Sequence, residues 1–131
     1  MQVEVEKRDN VTLVSIRGDA LLAGLDELER TLACCADEQA NVVVDLGQVH
    51  YLSGRAIEVL HQAIQAIRSS GQDLKLVNVD PHVVLLLQAS GMASLVQICP
   101  DYDAAMASFS RGVGEIERAL LSSDPTTGLD V

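Results

Sequence analysis

The sequence predicts one α/β domain: an opening β-hairpin, then a mostly parallel central sheet with helices packed against it. Three observations carry that expectation. Two stretches near the N-terminus alternate apolar and polar residues at the strand period. From residue 42 onward, short aliphatic runs alternate with segments whose apolar residues recur at spacings of three and four. The joints between them carry helix-start residues (Ser53-Gly54, Asp80-Pro81) and helix-stop residues (Gly71, Gly91) in matching order. The element order is therefore ββαβαβαβα, and strand-helix-strand alternation implies parallel neighbours.

Taken in order, Gln2 to Glu6 alternates Val3 and Val5 with polar residues, Val11 to Arg17 alternates again, and Arg8-Asp9-Asn10 separates the two as a hairpin turn. Gly18-Asp19 leads into Leu21, Leu22, Leu25, Leu28 and Leu32, an amphipathic helix ending near Asp37. Val42-Val43-Val44 puts β-branched residues on both sides of one strand, so it belongs in the middle of the sheet, covered on both faces. A turn through Gly47 and a second apolar piece, Val49 to Leu52, lead to Ser53, which caps a helix with Ala56, Ile57, Leu60, Ile64 and Ile67 on its core face. Gly71 stops this helix, and Leu74, Leu76, Val77 and Val79 form the next buried strand. Asp80 caps a helix from Pro81 to Ser90, a strand occupies about Leu95 to Cys99, and Asp101 caps a helix reaching about Ser110. The domain is expected over residues 1–110, with an additional helix over 111–122 and a disordered polar tail over 123–131.

With 131 residues, 48% of them apolar, the chain has material for one core. Nineteen acids against nine bases give a formal charge of −10, which repels nucleic-acid backbones and anionic membranes and favours a basic partner. The longest apolar run, Val83 to Leu87, is far too short to cross a bilayer, and no basic-then-apolar leader is visible. Three cysteines, two of them adjacent at Cys34 and Cys35, do not make a disulfide framework. A cytoplasmic protein without direct membrane insertion is expected.

Candidate chemistry is sparse. Asp19, Asp45 and Asp80 are placed at one rim, but turn and cap roles account for each. His50, His61 and His82 share no metal-ligand spacing, and Cys34 and Cys35 have no nearby Lys or His, so both cysteines are expected as small buried helix residues. No nucleophile triad, phosphate loop or nucleotide fingerprint is present, so no catalytic residue, metal or cofactor is expected. In the helix from Pro81, Val83, Leu86, Leu87 and Ser90 form the core face, leaving Val84 and Leu85 as an outward hydrophobic contact patch. Its cover would be the segment after Gly112, through Ile116, Leu120 and Leu121, or a second copy in a weak homodimer.

Asp45-Leu46, Tyr51-Leu52-Ser53, the helix ending at Gly71, the Asp80-Pro81 helix start and Gln88-Ala89-Ser90-Gly91-Met92 together resemble the STAS domain family, found in bacterial anti-sigma factor antagonists and in the cytoplasmic tails of sulfate transporters. The match runs ungapped from about Val42 to Met92. The resemblance implies a non-catalytic protein-interaction module binding an anti-sigma factor or related regulator through Ser53, Gly54, Arg55, Glu58 and Gln62. The alternative it leaves open is an accessory subunit of a lipid or anion transport complex. In the family the loop before this helix reads Asp-Ser-Ser-Gly-Leu or Asp-Ser-Thr-Gly-Leu, and an anti-sigma factor kinase phosphorylates the Ser after the Asp. In the ungapped register Ser53 stands at the Asp and Gly54 at that acceptor, so the hydroxyl is missing and no phosphosite is expected. Setting Ser53 on the acceptor place instead needs a gap on each side, which turns the helix by about 100 degrees and buries Glu58.

Overall fold

The computed structural model describes residues 2–8, 10–18 and 24–109. Strands β1 (Gln2–Arg8), β2 (Val11–Arg17), β3 (Asn41–Gln48), β4 (Leu74–Val77) and β5 (Gln97–Cys99) form one sheet in the order β1-β2-β3-β4-β5. The hairpin pair β1–β2 is antiparallel, and every other neighbouring pair is parallel. Helices α1 (Leu25–Asp37), α2 (Gly54–Ser69) and α3 (Pro81–Ala89) provide the crossovers, and a last helix, α4, covers 102–109. The predicted order ββαβαβαβα is the observed one.

β3 sits at the centre of the sheet, and Val42, Val43, Val44 and Leu46 are all inaccessible to solvent. Successive side chains point to opposite faces, so this burial requires a layer on each side. Val42, Val44 and Leu46 join the larger core with Leu28, Leu32, Leu60, Ile64, Ile67 and Leu87 from the three crossover helices. Val43 joins a smaller second core with Val11, Leu13, Val77 and Cys99, under Ala105 of α4. The edge strand β1 is almost wholly exposed and carries Glu4, Glu6, Lys7 and Arg8, charges that discourage edge-to-edge pairing.

Four local expectations are corrected. Gly47 makes no turn: β3 runs on to Gln48, which pairs with Arg17 across a register irregularity, and the Gly47 N–H donates to Asp45 Oδ1 at 2.8 Å. Val79 lies beyond β4, which ends at Val77 because Asn78 turns into the left-handed region at φ 56°. Strand β5 is only Gln97–Cys99, since a 3-10 turn over Met92–Ser94 follows Gly91 and buries Met92. In α3 only Val83 and Leu87 reach the core; Leu86 is half-buried and Ser90 exposed, because a nine-residue helix meets the sheet along one short i, i+4 line. The predicted start of α1 at Leu21 and Leu22, the rim position Asp19, the helix over 111–122 and the tail over 123–131 lie outside the described residues.

The helix ends follow the residues expected to set them. Ser53 and Asp80 cap α2 and α3 through their side chains, Pro81 occupies the first turn of α3, and Gly71 and Gly91 take φ of 87° and 84° after the helix ends. Asp101 accepts the Ala104 N–H at 2.8 Å, capping α4. Leu60 lies over β3 with no exposure at all. We expect Leu60→Ala to cost about 2 to 5 kcal/mol in urea unfolding. A loss under about 1 kcal/mol would mean that α2 does not hold the larger core closed.

Candidate functional site

Beyond β3, Val49 and Leu52 are buried and hold the connecting loop down, while Tyr51 between them is 43% exposed. Ser53 then takes an extended conformation, and its Oγ accepts the Ala56 N–H at 3.1 Å. This is the plain capping role, and it occupies the hydroxyl in the first turn of α2. Gly54, the first residue of α2, is exposed; a Cβ added there would meet nothing within 4 Å, and its φ is not positive. The glycine is therefore required neither by packing nor by backbone conformation.

From this open turn a polar stripe runs along α2. Arg55, Glu58 and Gln62 are all exposed and follow at helical spacing. The Arg55 guanidinium lies 3.3 Å from Glu58 Oε1 and 3.5 Å from Glu29 Oε1 of α1. One cation thus bridges two acids, so the stripe presents a balanced surface with a slight negative excess. Exposed pairs of this kind add little stability. Gln62 also lines a shallow groove between α1 and α2 with Glu29, Leu32, Ala33 and Val59. On the other flank of α2, Ile57, Glu58 and His61 face Ser90, Met92 and Leu95 across a second groove of about 120 Å³. The structure thus brings Ser53, Gly54, Arg55, Glu58 and Gln62 onto one continuous face.

Two site contributors escaped the sequence reading. Glu29 sits 26 residues from its partner Arg55 with nothing local to announce the pairing, and Leu95, 43% exposed, was assigned to a strand. Val84 and Leu85 stand apart on α3: Leu85 is 61% exposed, whereas Val84 is half-buried, so the outward patch is essentially one leucine. The segment after Gly112 that could cover it lies outside the described residues.

Asp45, Asp80 and Cys35 have structural roles. Asp45 is engaged by the Gly47 amide. The Asp80 carboxyl is held below its ordinary range, first by the His82 N–H that donates to it at 2.8 Å and then by His50 at 3.3 Å. Cys35 is buried against the sheet, and burial pushes its thiol up to about 11, which suppresses the thiolate. Cys34, expected as a buried neighbour, is exposed, because adjacent helix positions point about 100 degrees apart and only one can face the core. No group of three His, Cys, Asp or Glu among the described residues is placed to hold a metal ion, and no described helix is long and apolar enough to cross a membrane. The α2 face offers shape and balanced charge, without convergent groups for bond-making.

The comparisons with known proteins agree with this geometry. A family model described as the STAS domain matches residues 2–105. A Bordetella bronchiseptica protein, BtrV, whose name proposes it as an anti-sigma factor antagonist, is 28% identical over 83% of this chain and 95% of its own length. The anti-sigma-B factor antagonist of Bacillus subtilis is 22% identical over 75% of this chain and 90% of its own. The crystal structure of an anti-sigma factor antagonist from Mycobacterium paratuberculosis superposes with a TM-score of 0.74 at 19% identity, covering 82% of this chain and 92% of that one.

Two stability tests follow. Ser53→Ala is expected to cost about 1 kcal/mol in urea unfolding, while Gly54→Ala leaves stability unchanged or raises it by up to about 1 kcal/mol. The reverse ranking would mean that the cap geometry is wrong. Because the Asp80 carboxyl is depressed in the fold, its stabilising share is present above the unfolded value and lost as pH falls through the folded one. The melting-temperature gap between wild type and Asp80→Ala should therefore be full at neutral pH and close as pH drops below the ordinary 3.8. A gap unchanged at pH 2.5 would dissociate Asp80 from its ion-assisted cap.

Proposed function

The chain belongs to the STAS domain family, and from that premise we propose that it is a non-catalytic antagonist module that binds an anti-sigma factor, or a closely related regulator, in the cytoplasm. The observation that carries the reading is the open first turn of α2: Gly54 exposed with empty space around it, leading into the exposed stripe Arg55, Glu58 and Gln62. Ser53, Gly54, Arg55, Glu58 and Gln62 form the contact face. Both curated relatives carry antagonist names, which favours this reading over that of an accessory subunit in a transport complex.

In the ungapped register the acceptor place of the family falls on Gly54, which has no hydroxyl, and the neighbouring Ser53 hydroxyl is engaged as a cap. Binding is therefore not switched off by phosphorylation at this turn. On incubation with a cognate anti-sigma kinase and ATP, the intact mass should stay unchanged. A gain of one phosphate mapping to Ser53 would overturn both the register and this statement.

The docking test uses Gly54→Asp. A carboxylate at this position fits sterically and suits a helix N-terminus, so the fold is kept. Arg55 is already shared between Glu29 and Glu58, leaving the added charge without a committed cation. An unpaired charge buried in a contact weakens it, and we expect a loss of about 1 to 3 kcal/mol in calorimetric titration against the anti-sigma factor. Equal affinity for both forms, with matching circular dichroism, would move the interface away from this turn.

A further inference from the structure

The two faces of the sheet are closed very differently. On the first face, twenty-three described residues form one buried cluster, fed by α1, α2, α3 and the 3-10 turn. On the second face the buried cluster has six described members, and among the described residues α4 is the helix that covers them. Of the α4 side chains only Ala105 is fully buried; Tyr102, Ala104, Met106 and Phe109 are partly exposed. Apolar burial, the main force holding an element in place, is thus thin here.

Polar and aromatic contacts do much of the fastening instead. Arg8 of the edge strand lies over the Tyr102 ring, 5.0 Å from its centroid, at one end of α4. At the other end the Lys75 ammonium lies 4.7 Å from the Phe109 centroid. Lys75 Nζ and Ser108 Oγ both donate to Gln97 Oε1, at 2.5 and 3.0 Å. Lys75 is 5% exposed, with Asp73 Oδ2 at 3.8 Å as its nearest carboxylate oxygen. Of these partners of the ammonium, only the Phe109 ring belongs to α4, so its contacts with Gln97 and Asp73 persist when the helix leaves.

We infer that α4 is a strap that opens on its own, uncovering the second face of the sheet while the first-face core stays folded. Residues 100 and 101 are the only link between β5 and α4, so one hinge suffices. The surface uncovered is apolar around the Lys75 ammonium, with Val11, Leu13, Val43 and Val77, and lies on the side of the sheet away from α2. A device on this face can change state without touching the proposed docking stripe. The inference stands on the packing alone and does not depend on the antagonist reading.

The cysteines provide the readout. Cys99 is buried beneath α4, Cys35 is buried on the first face, and Cys34 is exposed and marks complete labelling. Under maleimide alkylation with peptide mapping, Phe109→Ala should speed modification of Cys99 about tenfold and leave the Cys35 rate unchanged. Rates are compared between variants at each site, because the raised thiol pKa of Cys35 slows it intrinsically. In the wild-type protein, the amides of residues 106–109 should exchange hydrogen at least tenfold faster than those of residues 59–64 in α2. Equal acceleration of both cysteines, no acceleration of either, or α4 amides as protected as those of α2 would overturn the inference.

Discussion

Complete burial of β3 is the constraint on which the rest depends. A strand whose Val42, Val43 and Val44 have no exposure cannot lie at an edge or face water on one side. It needs strands to left and right and a covering layer above and below. The parallel neighbours β2 and β4 meet the first need, and parallel pairing in turn demands helical crossovers. Those crossovers bring α1 and α2 side by side on the first face, close enough for Arg55 of one to reach Glu29 of the other. Among the described residues, the second face is covered by α4, which follows β5. The imbalance between the two described layers is a consequence of topology, since the three crossover helices all lie on one side.

The position of the candidate site follows from the same constraint. β3 and α2 are consecutive, so the chain leaving the most buried strand must turn sharply and start a helix at the rim. Val49 and Leu52 anchor that turn from inside, and Ser53 satisfies the helix start from outside. Gly54 and the stripe behind it are left exposed at this anchored turn, beside the exposed Tyr51. A surface anchored this firmly suits a docking role, because little ordering remains to be done on binding.

The fold was legible where one physical rule acted alone. Alternation in the hairpin, the three-residue valine run and the two capped helix starts each had a single strong cause, and each element appears where that cause put it. The misreadings arise where tertiary pairing overrides a local signal. Gly47 reads as a turn, yet pairing with β2 carries the strand through it. Val83, Leu86, Leu87 and Ser90 in α3 read as one core face, yet in the short helix Val83 and Leu87 alone are buried. At the site, Ser53, Gly54, Arg55, Glu58 and Gln62 were visible because they are neighbours along one helix. Glu29 and Leu95 were not, because their proximity to α2 is created by the fold and leaves no trace in spacing.

The charge of −10 acquires a narrower meaning once the pairs are placed. Arg55, the base nearest the open turn, is enclosed by Glu29 and Glu58, while Arg8 and Lys75 are drawn to the opposite face of the sheet and lean on aromatic rings. Two of the chain's three aromatic residues are spent on that fastening, and the third, Tyr51, is exposed beside the helix start. The side proposed to face a partner is thus left with balanced or slightly negative charge, two shallow apolar grooves and one exposed ring. Such a surface repels polyanions, gains little from long-range attraction except toward a basic partner, and depends on close fit for its affinity. On the proposed contact face a single added charge at Gly54 acts on that fit, so a position with no structural duty of its own is expected to govern binding.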